Sequence, residues 1–119
     1  PYIRPQENSA HADTRWVAVL DDLGQGLIFS GLPGFSFTAH DYSDEALTEA
    51  AHDDLIERDE SATWLHLDAV QGGLGSNSCG PEPLASYRAM PERRQFSCFM
   101  RPYAEGLHDP FERSLTLPE

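Results

Sequence analysis

Three stretches of this chain alternate apolar and polar residues with a period of two, and that period is satisfied by extended backbone whose successive side chains face opposite ways. In Thr14–Asp21, the residues Thr14, Trp16, Ala18 and Leu20 share one face, and Arg15, Val17, Val19 and Asp21 the other. Phe35–His40 presents Phe35, Phe37 and Ala39 to one side. Thr63–Gln71 places Trp64, His66, Asp68 and Val70 opposite Leu65, Leu67 and Ala69, so both of its faces are expected to be covered and the strand to be central in its sheet. Nine glycines and nine prolines punctuate the chain into short pieces. The pattern predicts an all-β fold of about seven short strands with one short helix.

Between these stretches the local signals are specific. Asp22–Gly26 reads as the turn of a hairpin whose returning strand is Leu27–Ser30, and Pro33-Gly34 is expected to break the chain before Phe35. Ser43 suits a helix N-cap, Asp44 and Glu45 suit the first turn, and Tyr42 can staple onto Leu47, which predicts a helix from Asp44 to about Ala51. Leu55-Ile56 is expected to be extended, and Leu84–Ala89 and Arg94–Arg101 to be the final strands. Residues 1–13 read as a polar arm lying along an edge. Residues 1–101 form one β domain, and residues 102–119, with three prolines and little periodicity, read as a tail.

A chain of 119 residues makes one domain. With 8 basic against 20 acidic side chains its formal charge is -12, which repels phosphate backbones and anionic lipid surfaces and argues against nucleic-acid and membrane partners. No apolar run reaches the roughly 20 residues of a membrane span and no leader opens the chain, so it reads as soluble and cytoplasmic. It begins at Pro1 in mid-phrase, as expected of a piece of something longer. Cys79 and Cys98 lack C-x-x-C spacing, which leaves a bridge between them open.

Several constellations could carry chemistry, and each has a plainer explanation. Asp53, Asp54, Glu57, Asp59, Glu60 and Asp68 could supply the carboxylate pair of a glycosidase, but most of them sit in solvated turns, whereas one partner must be buried with a raised pKa. His66 and Asp68 share a strand face and, with His108, match the composition of an iron-binding triad. A lone strand histidine is more often packed and hydrogen-bonded, and no metal site is expected here. Cys79 has no histidine near it in sequence to activate a nucleophile. The loop Gly72–Pro81 is too glycine-rich and polar for core, and no lysine, arginine or helix follows its glycines to hold a phosphate. It reads as a loop that a β-scaffold hands to a ligand.

Pro1–Asn8, Thr14-Arg15-Trp16, Phe35–Ser43, Trp64–Asp68 and Gly73–Pro81 follow one another in an order that resembles the C-terminal part of the large β-galactosidases of glycoside hydrolase family two. The resemblance covers about residues 1–101. It implies a non-catalytic segment of an antiparallel β-super-sandwich of the galactose mutarotase-like kind, packed beside a (β/α) barrel that holds the two catalytic glutamates and the magnesium and sodium sites. No catalytic residue and no cofactor is then expected in this segment. The implied partners are the rest of the β-galactosidase polypeptide, itself homo-oligomeric, and a galactoside such as lactose. The resemblance also implies that the loop 72–81 reaches the active-site mouth, with Asn77, Ser78 and Cys79 as substrate-binding residues. Cys79 stands where some members carry a tryptophan that stacks on sugar or aglycone, and a thiol offers no aromatic face. The alternative is an independent carbohydrate-binding module with Trp16, Trp64 and Tyr87 as stacking residues, although alternation places both tryptophans in packed faces.

Overall fold

The computed structural model describes residues 9–72 and 81–115. The elements in chain order are β1 (His11–Leu20), β2 (Gln25–His40), α1 (Asp44–Glu49), a 3-10 turn at Asp53–Leu55, β3 (Trp64–Asp68), a second 3-10 turn at Ala85–Tyr87, β4 (Cys98–Ala104) and α2 (Pro110–Leu115). β2 is the shared strand: the order is β1-β2-β3, and β4 pairs with β2 as well. The pairings of β2 with β3 and with β4 are antiparallel, as the resemblance implies. The residues fall into two compact units, one made of Ser36–Arg93 with the chain up to His11, the other of Ala12–Phe35 with the chain from Arg94 onward.

In the second of these units β1 and the first half of β2 form the expected hairpin. Asp21 closes it by accepting the N–H groups of Leu23 and Gln25 on Oδ1, both at 2.9 Å, an Asx-type turn. Gly24 takes φ +72 there, a left-handed conformation that disfavours a side chain. Gly26 is required for a different reason: a Cβ on it would lie 1.9 Å from the Val19 carbonyl oxygen, so β1 and β2 approach more closely than any other residue permits. β4 runs along β2 from Gln25↔Ala104 to Gly31↔Cys98. Ile28, Phe35 and Tyr103 are buried, and Phe96 meets Phe35 edge to face at 6.3 Å, the ring geometry that favours aromatic pairs.

The other unit is built on the second half of β2, paired with β3 from Ser36↔Asp68 to His40↔Trp64. The chain then turns into α1, whose start is set by Ser43: its Oγ accepts the Ala46 N–H at 3.1 Å. Tyr42 and Leu47 pack together with Ile56 in one buried cluster, the hydrophobic staple expected across the cap. His11 stacks on Phe37 at 4.8 Å, and His40 on Tyr42 at 4.6 Å.

Several elements differ from their local expectation. Leu27–Ser30 and Phe35–His40 are one continuous strand, not two broken at Pro33-Gly34. Pro33 falls between Gly31, the last residue paired with β4, and Ser36, the first paired with β3, so its missing N–H removes no bond from either of those ladders. β3 is at the end of the strand order and not central, and its residues are half-buried or exposed. Trp16 and Trp64 are likewise half-buried and not core. Leu55 belongs to a 3-10 turn and Leu84–Ala89 holds another instead of a strand. The last strand starts four residues later than Arg94 and extends to Ala104. Residues 110–115 form a second helix where only a tail is expected. Its signal was present: Asp109 accepts the Glu112 N–H at 2.9 Å, and Pro110 occupies the first helical position, a start motif masked by the surrounding prolines.

Candidate functional site

The expected substrate-binding residues Asn77, Ser78 and Cys79 lie outside the described residues, and so does the pairing state of Cys79. The two roots of their loop are described. β3 delivers the chain at Asp68, and Gln71 and Gly72 follow half-buried; a Cβ added at Gly72 would lie 3.7 Å from that of Ala89. On the far side, Glu82 is ion-paired with Arg88, and Arg88 Nε donates to the Pro83 carbonyl at 2.9 Å. Together with the turn at Ala85–Tyr87 these contacts tie residues 82–88 into a compact return. Exposed ion pairs add little stability, so their effect is to orient the chain.

The same unit holds a polar groove of about 430 Å³, lined among others by His40, Asp41, Tyr42, Asp53, Arg58 and Thr63. Arg58 Nη1 donates to Asp41 Oδ1 at 2.6 Å, and its guanidinium carbon lies 5.1 Å from the centre of the Tyr42 ring. His40 also stacks on that ring. The groove therefore presents donors and acceptors, while its aromatic ring is already engaged by a cation and an imidazole.

The carboxylates can be weighed as acid catalysts. Asp59 accepts the Ser61 hydroxyl at 2.5 Å and the Ser61 N–H at 2.9 Å. These two bonds hold its pKa below the ordinary carboxylate value. A glycosidase proton donor needs the opposite shift. His66 Nε2 lies 3.7 Å from Asp44 Oδ2 on α1. His108 belongs to the other unit, where its Nδ1 accepts the Ala104 N–H at 3.1 Å. Among the described residues no group of three or more His, Cys, Asp or Glu is placed to hold a metal ion, and no helix is long and apolar enough to cross a membrane. Of the stacking candidates, Trp16 and Trp64 are half-buried, and the Tyr87 side chain lies outside the described ones.

Comparison with known proteins gives this arrangement a context. Residues 1–100 match the family described as the β-galactosidase small chain. The chain belongs to the β-galactosidase small-chain family. It is 41% identical over 96 residues to a β-galactosidase of Staphylococcus xylosus, a match covering 81% of this chain and 10% of that protein. It is 37% identical over 100 residues to a β-galactosidase of Arthrobacter sp. (strain B7), covering 78% of this chain and 10% of the relative. A β-galactosidase of Actinobacillus pleuropneumoniae is 38% identical over 90 residues, covering 75% and 8%. The chain thus spans about a tenth of the length of these curated relatives. The family match stops at residue 100, inside β4, so α2 lies beyond it.

Proposed function

We propose that this chain is a non-catalytic β-sandwich portion of a β-galactosidase of glycoside hydrolase family two, an enzyme hydrolysing terminal β-galactosides such as lactose. In this reading the segment packs beside the catalytic barrel and lends the loop 72–81 to the active-site mouth. The observation that carries it is the match over residues 1–100 to β-galactosidases about ten times longer than the matched segment. The braced return at residues 82–88 and the strand that enters the loop are consistent with a loop held at both ends for use by a neighbour. Asn77 and Ser78 supply the amide and hydroxyl groups that bind sugar hydroxyls, and Cys79 leaves the aglycone without an aromatic platform at that position.

The test uses the whole β-galactosidase polypeptide. Replacing residues 73–80 by a short neutral linker raises KM for lactose by roughly 5- to 20-fold, corresponding to about 1–2 kcal/mol of lost binding. It also shifts the ratio of transglycosylation to hydrolysis. Unchanged KM, kcat and product ratio remove the loop from the active site.

A further inference from the structure

The second unit carries a cleft that the proposed function leaves without a role. Arg15 and Trp16 from β1, Leu32 from β2, Phe99 from β4 and Phe111 and Leu115 from α2 are among the residues around a space of about 160 Å³. An apolar cavity of roughly 150 Å³ takes one benzene-sized ring. α2 walls this space without filling it. Phe111 and Leu115 sit one turn apart on one helix face, yet they remain 59% and 61% exposed, and Leu32 67%. The helix is nevertheless held in place: Arg101 Nη1 donates to the Arg113 carbonyl at 3.0 Å, and Arg113 Nε to the Pro102 carbonyl at 3.3 Å. Large exposed apolar side chains grouped around a ring-sized opening mark an interaction site.

Two observations point to the occupant. The matched relatives extend far beyond this segment, which spans about a tenth of their length, so most of a β-galactosidase polypeptide is available to cover the face. In addition, Arg15 stands at the rim as a cation in a chain of net charge -12 and has no ion pair among the described residues. We infer that the cleft is a socket for the remainder of the β-galactosidase polypeptide. One aromatic or large aliphatic side chain of that remainder inserts between Trp16 and α2, and a carboxylate flanking it meets Arg15. One wall comes from α2, beyond the family-matched residues, so the depth of the socket is set by residues that the family segment does not include. The inference rests on the chain being a β-galactosidase segment, but not on the loop 72–81 reaching the active site.

Hydrogen–deuterium exchange on the whole polypeptide tests it, comparing the wild type with Leu115→Asp and Arg15→Glu. Both positions are exposed in the segment, so neither substitution removes a buried core side chain. Exchange is expected to rise at least tenfold in peptides covering β1 and α2 and, in parallel, in one peptide outside the segment, which locates the stretch that carries the inserted side chain. If α2 unravels in Leu115→Asp, Arg15→Glu leaves the helix untouched and still reports the contact. Exchange changes confined to residues 1–119, whether from a second copy of the segment or from no partner, overturn the socket. The 73–80 linker variant separates the two ideas: it alters kinetics without raising exchange at β1 or α2, and its failure to alter kinetics leaves the socket standing.

Discussion

Burial pushes the Cys98 thiol pKa up, and a hydrogen bond from the Ser30 backbone only partly opposes the shift. The folded chain therefore keeps this proton to higher pH than the unfolded chain does. The stability that the neutral thiol contributes is fully present below its unfolded pKa and is lost as pH rises through the folded value. Urea unfolding of the wild type should lose more stability between about pH 8 and about pH 10 than unfolding of Cys98→Ser. Equal losses would show that this thiol is as solvated as a free one. Ser43 acts at the same scale through one bond. With its Oγ removed, the Ala46 N–H loses its acceptor, and Ser43→Ala should lower unfolding stability by about 1 kcal/mol in a urea titration. These two residues differ in legibility. The cap was readable from Ser43-Asp44-Glu45 because it bonds three residues along the chain, whereas the Cys98 environment depends on β2 residues nearly seventy positions away.

Elements stand or fall on how closely their backbones meet. Gly26→Ala places a methyl group against the Val19 carbonyl, which forces β1 and β2 apart and should destabilise the chain by about 1–3 kcal/mol. Gly72→Ala meets only the Ala89 side chain at 3.7 Å, and should change stability by no more than about 0.5 kcal/mol. Thermal melts of the pair decide the matter, and equal effects would mean that the hairpin relaxes freely around residue 26. The hairpin and α1 were legible because a turn, a cap and a period are local signals. The continuity of β2 through Pro33 was not, since it depends on where the partners β4 and β3 stop and start. β3 was misjudged for a related reason. Alternating apolar residues on both faces describe which way side chains point, not how many strands lie beside them.

At the scale of the molecule, the segment is a tenth of the relatives it resembles, and its buried core is correspondingly small, six hydrophobic residues among those described. The proposed role predicts that the purified 119-residue chain turns over no nitrophenyl galactoside above the buffer blank, while the whole polypeptide does. Turnover by the pure segment would place catalytic groups within it and end the non-catalytic reading. The substrate-binding residues Asn77, Ser78 and Cys79 were named through family resemblance, because a glycine-rich loop has no periodicity from which a role could be read.

The chain's own order of residues determined the β1–β2 hairpin and its turn, the cap and staple of α1 and an acidic composition, all of which arise from interactions a few positions apart or from composition alone. Tertiary structure alone decided that β2 serves three partner strands, that β3 ends the strand order among the described residues, and that α2 stands as the wall of an apolar cleft. Those features depend on groups distant in sequence meeting in space, and the free energy of such meetings is set by packing that no local pattern encodes.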